Sequence, residues 1–266
     1  MAVTVVVVTD KTEVARYGAD LVAALVRNKP DAVLGLAAGA TPEGLYAEMV
    51  NLHAGGLDFS RVTVFDLDEY HGLPPGHPAA FARSLRAHLI DHLNLSPLRV
   101  HLLEDRLSEP LSPLCAEYER LIRQAGGIDL QLLGLGRNGH IAFNEPGSDF
   151  ASRTRPVDLS ETTRAANRAA FASGEAVPTT AVTMGIGTIL EARRILLLAT
   201  GLDKAEAVAA SIQAPPTPQI PASALQGHPD TLFLLDRMAA SRLTPTPPVT
   251  GSLLFGSALQ LPDGEV

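Results

Sequence analysis

LQLLGLGRNGHIAFNEP, Leu130 to Pro146, runs from a short strand-like stretch into a loop of glycines and polar side chains. Leu130 to Leu133 read as a buried strand, and Gly134 and Gly136 let the chain turn away from it. Asn138, His140, Asn144 and Glu145 follow, with apolar Ile141 and Phe143 between them. The same passage from strand to turn to helix recurs along the chain. Val3 to Val8 is a β-branched run with the pattern of a strand buried on both faces, and Thr9-Asp10 caps a helix from Glu13 to Val26. Ala32 to Leu36 precedes a glycine turn and a helix at Pro42 to Val50. Val62 to Phe65 precedes a polar loop and a helix from about Ala79 to His92. Ile195 to Ala199 precedes a helix from Asp203 to Ser211, and a final strand is expected at Thr231 to Asp236. Such alternation predicts a single α/β domain, doubly wound, with a mostly parallel sheet and helices on both faces. The domain is expected over residues 1–240, with the rigid connector PPTPQIP (Pro215 to Pro221) inside it before the last strand, and a Pro/Gly-rich tail over 241–266.

A hydrophobic fraction of 46% with 19% charged residues fits a folded globular chain. The formal charge of −8 argues against a nucleic-acid surface, so any bound anion has to be held by local groups. The apolar run near the N-terminus is too short to span a bilayer, which predicts no membrane partner and a cytoplasmic enzyme. Cys115, the one cysteine, falls in the helical-looking LCAEYERLI and reads as a passive core residue.

Ligands of doubly wound sheets lie beyond the carboxyl ends of the strands, which directs attention to four loops. After Leu36 comes AAGATPEG, in which Gly39 permits a tight turn and Thr41-Pro42 opens a helix with Pro at its first position; free N–H groups at Gly39, Ala40 and Thr41 suit a phosphate. After Phe65 comes DLDEYHGLP, with Asp66, Asp68 and Glu69 clustered at the mouth of the crevice, where such residues also serve as caps. In the loop after Leu133, His140 suits general acid-base work near neutral pH. GLGRNG does not open the first crossover helix, so it is not a dinucleotide site. The histidines are scattered, and His88 with His92 lacks the HExxH glutamate and reads as a solvent-facing stripe, so no metal site is predicted.

Taken together, LAAGATPEGLY, FDLDEYHGL, GHIAFNEP, VPTTAVTMGIGTIL and GLDKAEAV resemble the glucosamine-6-phosphate deaminase family, along nearly the whole chain to about Asp236. The resemblance implies a cofactor-independent conversion of D-glucosamine 6-phosphate to fructose 6-phosphate and ammonia, with a phosphorylated amino sugar as partner and a homo-oligomer as an option. It implies that His140 opens the sugar ring and that Asp68 takes the C2 proton and returns it at C1. Glu145 and Asn138 would orient His140, and Lys204 would bind phosphate with Gly39, Ala40 and Thr41.

The chain departs from the family pattern at several points. Asn138 stands where many members have Asp, and an amide cannot raise the histidine pKa as a carboxylate does. The turn reads AGATP rather than TGGTP. Where ANxRFF supplies a phosphate-clamping arginine, AANRAAF aligns Ala169 there and places Arg168 one position early, about 100° around a helix; Arg164 is a second candidate. The Lys and Tyr of allosterically activated members have no counterpart near Val157 or in the tail. Another hexosamine phosphate, a plain aldose-ketose isomerisation, a 6-phosphogluconolactonase-type hydrolysis and a silent sugar-phosphate sensor remain alternatives.

Overall fold

The structure is a computed structural model describing residues 3–104 and 110–245. The order of elements is β1 (Thr4–Val8), α1 (Lys11–Asn28), β2 (Val33–Leu36), α2 (Ala40–Ala54), β3 (Thr63–Asp66), β4 (Asp68–Tyr70), α3 (Phe81–His88), β5 (Val100–His101) and α4 (Leu111–Gln124). It continues with β6 (Leu130–Gly134), β7 (Arg155–Asp158), α5 (Glu161–Asn167), β8 (Thr180–Thr183), α6 (Ile186–Leu190), β9 (Arg194–Ala199), α7 (Ala205–Gln213) and β10 (Thr231–Asp236).

Seven strands form one parallel sheet in the order β1-β10-β9-β6-β2-β3-β5. One face is covered by α1, α2 and α3 through Val22, Leu45, Met49 and Leu85. The other is covered by α4, α6 and α7 through Leu114, Tyr118, Ile189 and Val208. Cys115 is buried in that second layer. α1 starts where Asp10 accepts hydrogen bonds from the Thr12 and Glu13 amides at 2.8 and 3.1 Å, and its buried residues Val14, Gly18, Val22 and Val26 recur every four positions. Gly18 lets α2 approach closely, since a Cβ there would lie 2.5 Å from Leu45 Cδ1.

From β2 the chain winds outward through β3 to β5, then returns to place β6 on the other side of β2 before continuing to β9 and β10. β2 and β6 are therefore the switch point, and the loops after them border the crevice where α/β sheets bind ligands. Among the described residues no helix is long and apolar enough to cross a membrane.

Several expectations need correction. β1 is an edge strand among the described residues, where none pairs with its outer edge, with Thr4 exposed and Val7 and Val8 buried. α2 begins at Ala40, making Pro42 its third residue, where the missing amide still has no helical acceptor to lose. α3 ends at His88, and His92 lies in a separate 3-10 turn, with both histidines exposed. The stretch read as a polar loop after Phe65 contains β4, which joins β8 and β7 in a second, antiparallel sheet of order β4-β8-β7. Of the proposed tail, residues 246–266 lie outside the described residues.

Candidate active site

The acidic cluster after β3 divides into three separate roles. Asp66 is buried and accepts from Tyr118 Oη at 2.8 Å and from the Leu103 amide at 3.1 Å, which ties β3 to α4 and the strand-end loop. Glu69 accepts from the amides of Tyr70, Phe81 and Ala82 at 2.8, 3.1 and 2.8 Å and so caps α3 from outside the helix. Asp68 alone of the three lines the cavity at the switch point, 8% exposed. Burial, helped by the charge of Glu69, pushes the Asp68 carboxyl up to about 8. Pairing of Asp68 with Thr183 and of Tyr70 with Ala181 fixes this strand, and the Tyr70 ring packs against Phe81, Phe143 and Phe171 with centroids 4.9, 5.4 and 5.5 Å apart.

After β6 the chain makes a tight turn closed by the Gly136 amide donating to His140 O at 2.9 Å. A Cβ at Gly136 would fall 2.2 Å from His140 Nδ1, so only glycine leaves space for the ring. Asn138 Oδ1 lies 2.6 Å from His140 Nδ1, and Asn138 Nδ2 donates to Glu145 Oε2 at 3.2 Å. Since a carboxylate only accepts, Glu145 holds the Asn138 nitrogen toward itself and the amide oxygen toward the histidine. Nδ1 then carries the proton, and Nε2 is the free basic nitrogen. Burial lowers the His140 pKa from 6.5, with Glu145 opposing and Lys204 adding to the effect, so the ring is neutral at pH 7. Glu145 is anchored from α5 by the hydroxyls of Ser160, at 3.2 Å, and Thr163.

The loop is rigidly backed. Asn144, which the sequence grouped with the polar display, is fully buried and donates to Ile141 O and Met184 O at 3.0 and 2.9 Å while accepting from Arg155 at 2.9 Å. The proline-rich connector braces the outside, with Ala222 N donating to Gly139 O and Gly147 N to Pro218 O at 2.9 and 2.8 Å. Ala142 holds a positive φ of 51° between these fixed points.

The cavity between these groups measures about 680 Å³. Its walls are the turn from Ala37 to Pro42, Asp68, the turn from Gly134 to His140, the α5 face, and Asp203 with Lys204. Gly39, at φ 115°, precedes α2 without any side-chain cap, leaving the first amides of that helix to the cavity along with Ala40 and Thr41. Lys204, at the end of a 3-10 turn after β9, faces the same space.

Arg168 does not. The α5 residues that line the cavity are Thr162, Thr163, Ala166 and Asn167. Arg164 and Arg168, four apart, share a neighbouring stripe rotated off that face. The Arg168 guanidinium folds back on Phe171 O and Ala172 O at 3.4 and 3.0 Å, and Arg164, whose Nε is buried without a hydrogen-bond partner, does not line the cavity. Arg137, in the quoted loop but given no role from the sequence, does line the cavity and bonds Asp203 Oδ2 through Nε at 2.9 Å. Its exposure inside a glycine-rich turn gave no periodic signal to single it out.

Residues 10–233 match the family model described as glucosamine-6-phosphate isomerases/6-phosphogluconolactonase. The chain belongs to this family. A glucosamine-6-phosphate deaminase from Rhodopirellula baltica is 51% identical over 238 residues, covering 89% of this chain and 94% of the relative. A solved structure described as a monomeric glucosamine-6-phosphate deaminase is 43% identical with a TM-score of 0.87, covering 90% of this chain and all of that one. A 6-phosphogluconolactonase from Trypanosoma cruzi superposes with a TM-score of 0.75 at 21% identity, over 92% of this chain and 98% of its own, and shares the fold. Within the family, the parallel sheet switched at β2 and β6 is the common frame, and the loops described above are what can distinguish one activity from another.

Proposed function

We propose that the cavity converts D-glucosamine 6-phosphate and water to D-fructose 6-phosphate and ammonia. The observation that carries this reading is the sharing of one cavity by a buried carboxylate, Asp68, and a tautomer-fixed neutral imidazole, His140, opposite the cationic Lys204 and the uncapped N-terminus of α2. The high identity to deaminases supports the same substrate.

His140 Nε2 takes the proton of the C1 hydroxyl and delivers it to the ring oxygen as the C1–O5 bond breaks, giving the open-chain aldehyde. Asp68 then removes the C2 proton. The C–H electrons form the C1=C2 bond while O1 takes a proton from the ammonium at C2, producing an enolamine. Asp68 returns its proton at C1, leaving an iminium at C2. Water adds there and ammonia departs with a proton, so the ketone forms and Asp68 ends ionised. Burial makes the Asp68 carboxylate a stronger base than an exposed one, as abstraction of a carbon-bound proton requires. The phosphate is held by the amides at Gly39, Ala40 and Thr41 and by Lys204.

Every group in this scheme comes from one chain, so a homo-oligomer is not needed to complete the site, in keeping with the monomeric relative. A sugar phosphate does not cross a bilayer unaided, and this substrate makes the enzyme cytoplasmic. Incubation with glucosamine 6-phosphate is expected to release ammonia and fructose 6-phosphate in equal amounts. Turnover of galactosamine 6-phosphate alone, or hydrolysis of 6-phosphogluconolactone without ammonia release, would reject the reading.

A further inference from the structure

A sugar phosphate brings nearly two negative charges to a chain whose own formal charge is −8, so nearby cations must hold it. Among the described residues lining the cavity, the lysine and arginine side chains are Lys204 and Arg137. Arg164 of α5 and Arg168, in the 3-10 turn that follows it, do not line the cavity. Arg137 bonds Asp203 Oδ2 through Nε at 2.9 Å, and the same oxygen lies 3.9 Å from Lys204 Nζ. One carboxylate thus holds two cations at the rim and leaves a net positive charge. Nε is the only Arg137 nitrogen so engaged among the described residues, and the side chain is 77% exposed, so both terminal amino groups of the fork are open to an incoming anion. A guanidinium offers a phosphate two parallel N–H donors, which an ammonium cannot.

We propose that Arg137 binds the phosphate of the substrate together with Lys204, taking the place of the clamp that Arg168 does not supply. This rests on the sugar-phosphate reading of the site. Burial lowers the Lys204 pKa, with Asp203 opposing and the nearby Arg137 charge adding to the effect, and a bound dianion offsets the repulsion between the two cations.

The test is Arg137→Gln and Arg137→Lys in steady-state kinetics, paired with calorimetric titration of inorganic phosphate into the resting enzyme. Arg137→Gln is expected to raise KM for glucosamine 6-phosphate about tenfold with kcat within about twofold, and to weaken inorganic phosphate by a similar factor. Arg137→Lys is expected to recover part of the loss. With unphosphorylated D-glucosamine, kcat/KM should be the same for the wild type and the variants. Unchanged KM and unchanged phosphate affinity would overturn the assignment, as would an equal loss with D-glucosamine, which would mark a structural role. If the wild type releases no ammonia, the functional reading fails, while the phosphate titration still decides Arg137.

Discussion

Asn138 stands between Glu145 and His140, where an amide passes on direction without adding charge. Its oxygen faces Nδ1 at 2.6 Å because its nitrogen faces Glu145. Asn138→Asp places a carboxylate at that distance and is expected to raise the His140 pKa, read from the ring proton in an NMR titration. No upward shift would contradict the arrangement. With Asp68 pushed up to about 8, kcat/KM should climb as pH rises to that region and level off above it, since the base must be ionised. Gly136→Ala drives a methyl into the His140 ring and is expected to lower kcat at least tenfold with little change in melting temperature, because the side chain that yields lies at the cavity. Asp68 and His140 lie in loops after strand ends, which directed attention to them, and Lys204 entered through the family resemblance; the structure brings all three to one cavity. Arg168 does not line that cavity, whereas Arg137, given no role from the sequence, does. One step around α5 moves an arginine off the cavity face, and an exposed arginine in a glycine turn leaves no pattern.

At the level of elements, the parallel strands and the helices between them were legible because continuous apolar runs and four-residue spacing report burial directly. The second sheet was not. β4 is three residues long and polar, Asp68 to Tyr70, and its burial depends on β8, more than a hundred residues later in the chain. Glu69 illustrates the same point. A capping role is among the readings its sequence position allows, but only the fold brings it to α3, where it supplies the cap that Ala80 cannot give. Glu69→Ala leaves those amides unpaired and is expected to destabilise the fold by about 1–3 kcal/mol in urea denaturation. A loss below a few tenths of a kcal/mol would show that α3 does not depend on this cap.

Across the whole molecule, the buried carboxylates tie stability to pH. Burial raises Asp66 well above its ordinary value, Asp68 to about 8 and Glu69 to about 7. The native state therefore holds protons that the unfolded chain releases near pH 4, and the stabilisation present below that pH is lost as pH rises through the folded values. Melting temperature should fall between about pH 5 and pH 8, and Asp68→Asn should reduce that slope and raise the midpoint at pH 8. A flat profile in the wild type would mean these groups are ionised in the native state. Removal of Asp68 charge is thus expected to stabilise the fold while disabling the chemistry, the trade-off of a base held in a dry site. The most direct measurement is ammonia release from glucosamine 6-phosphate by wild type and Asp68→Asn, with binding of an unreactive hexitol 6-phosphate measured on both. Rapid release by the wild type, a loss of about a thousandfold or more in the variant and hexitol phosphate affinity within about threefold are the expected results. Ammonia release by Asp68→Asn at a rate near that of the wild type would contradict the assignment of Asp68 as the base.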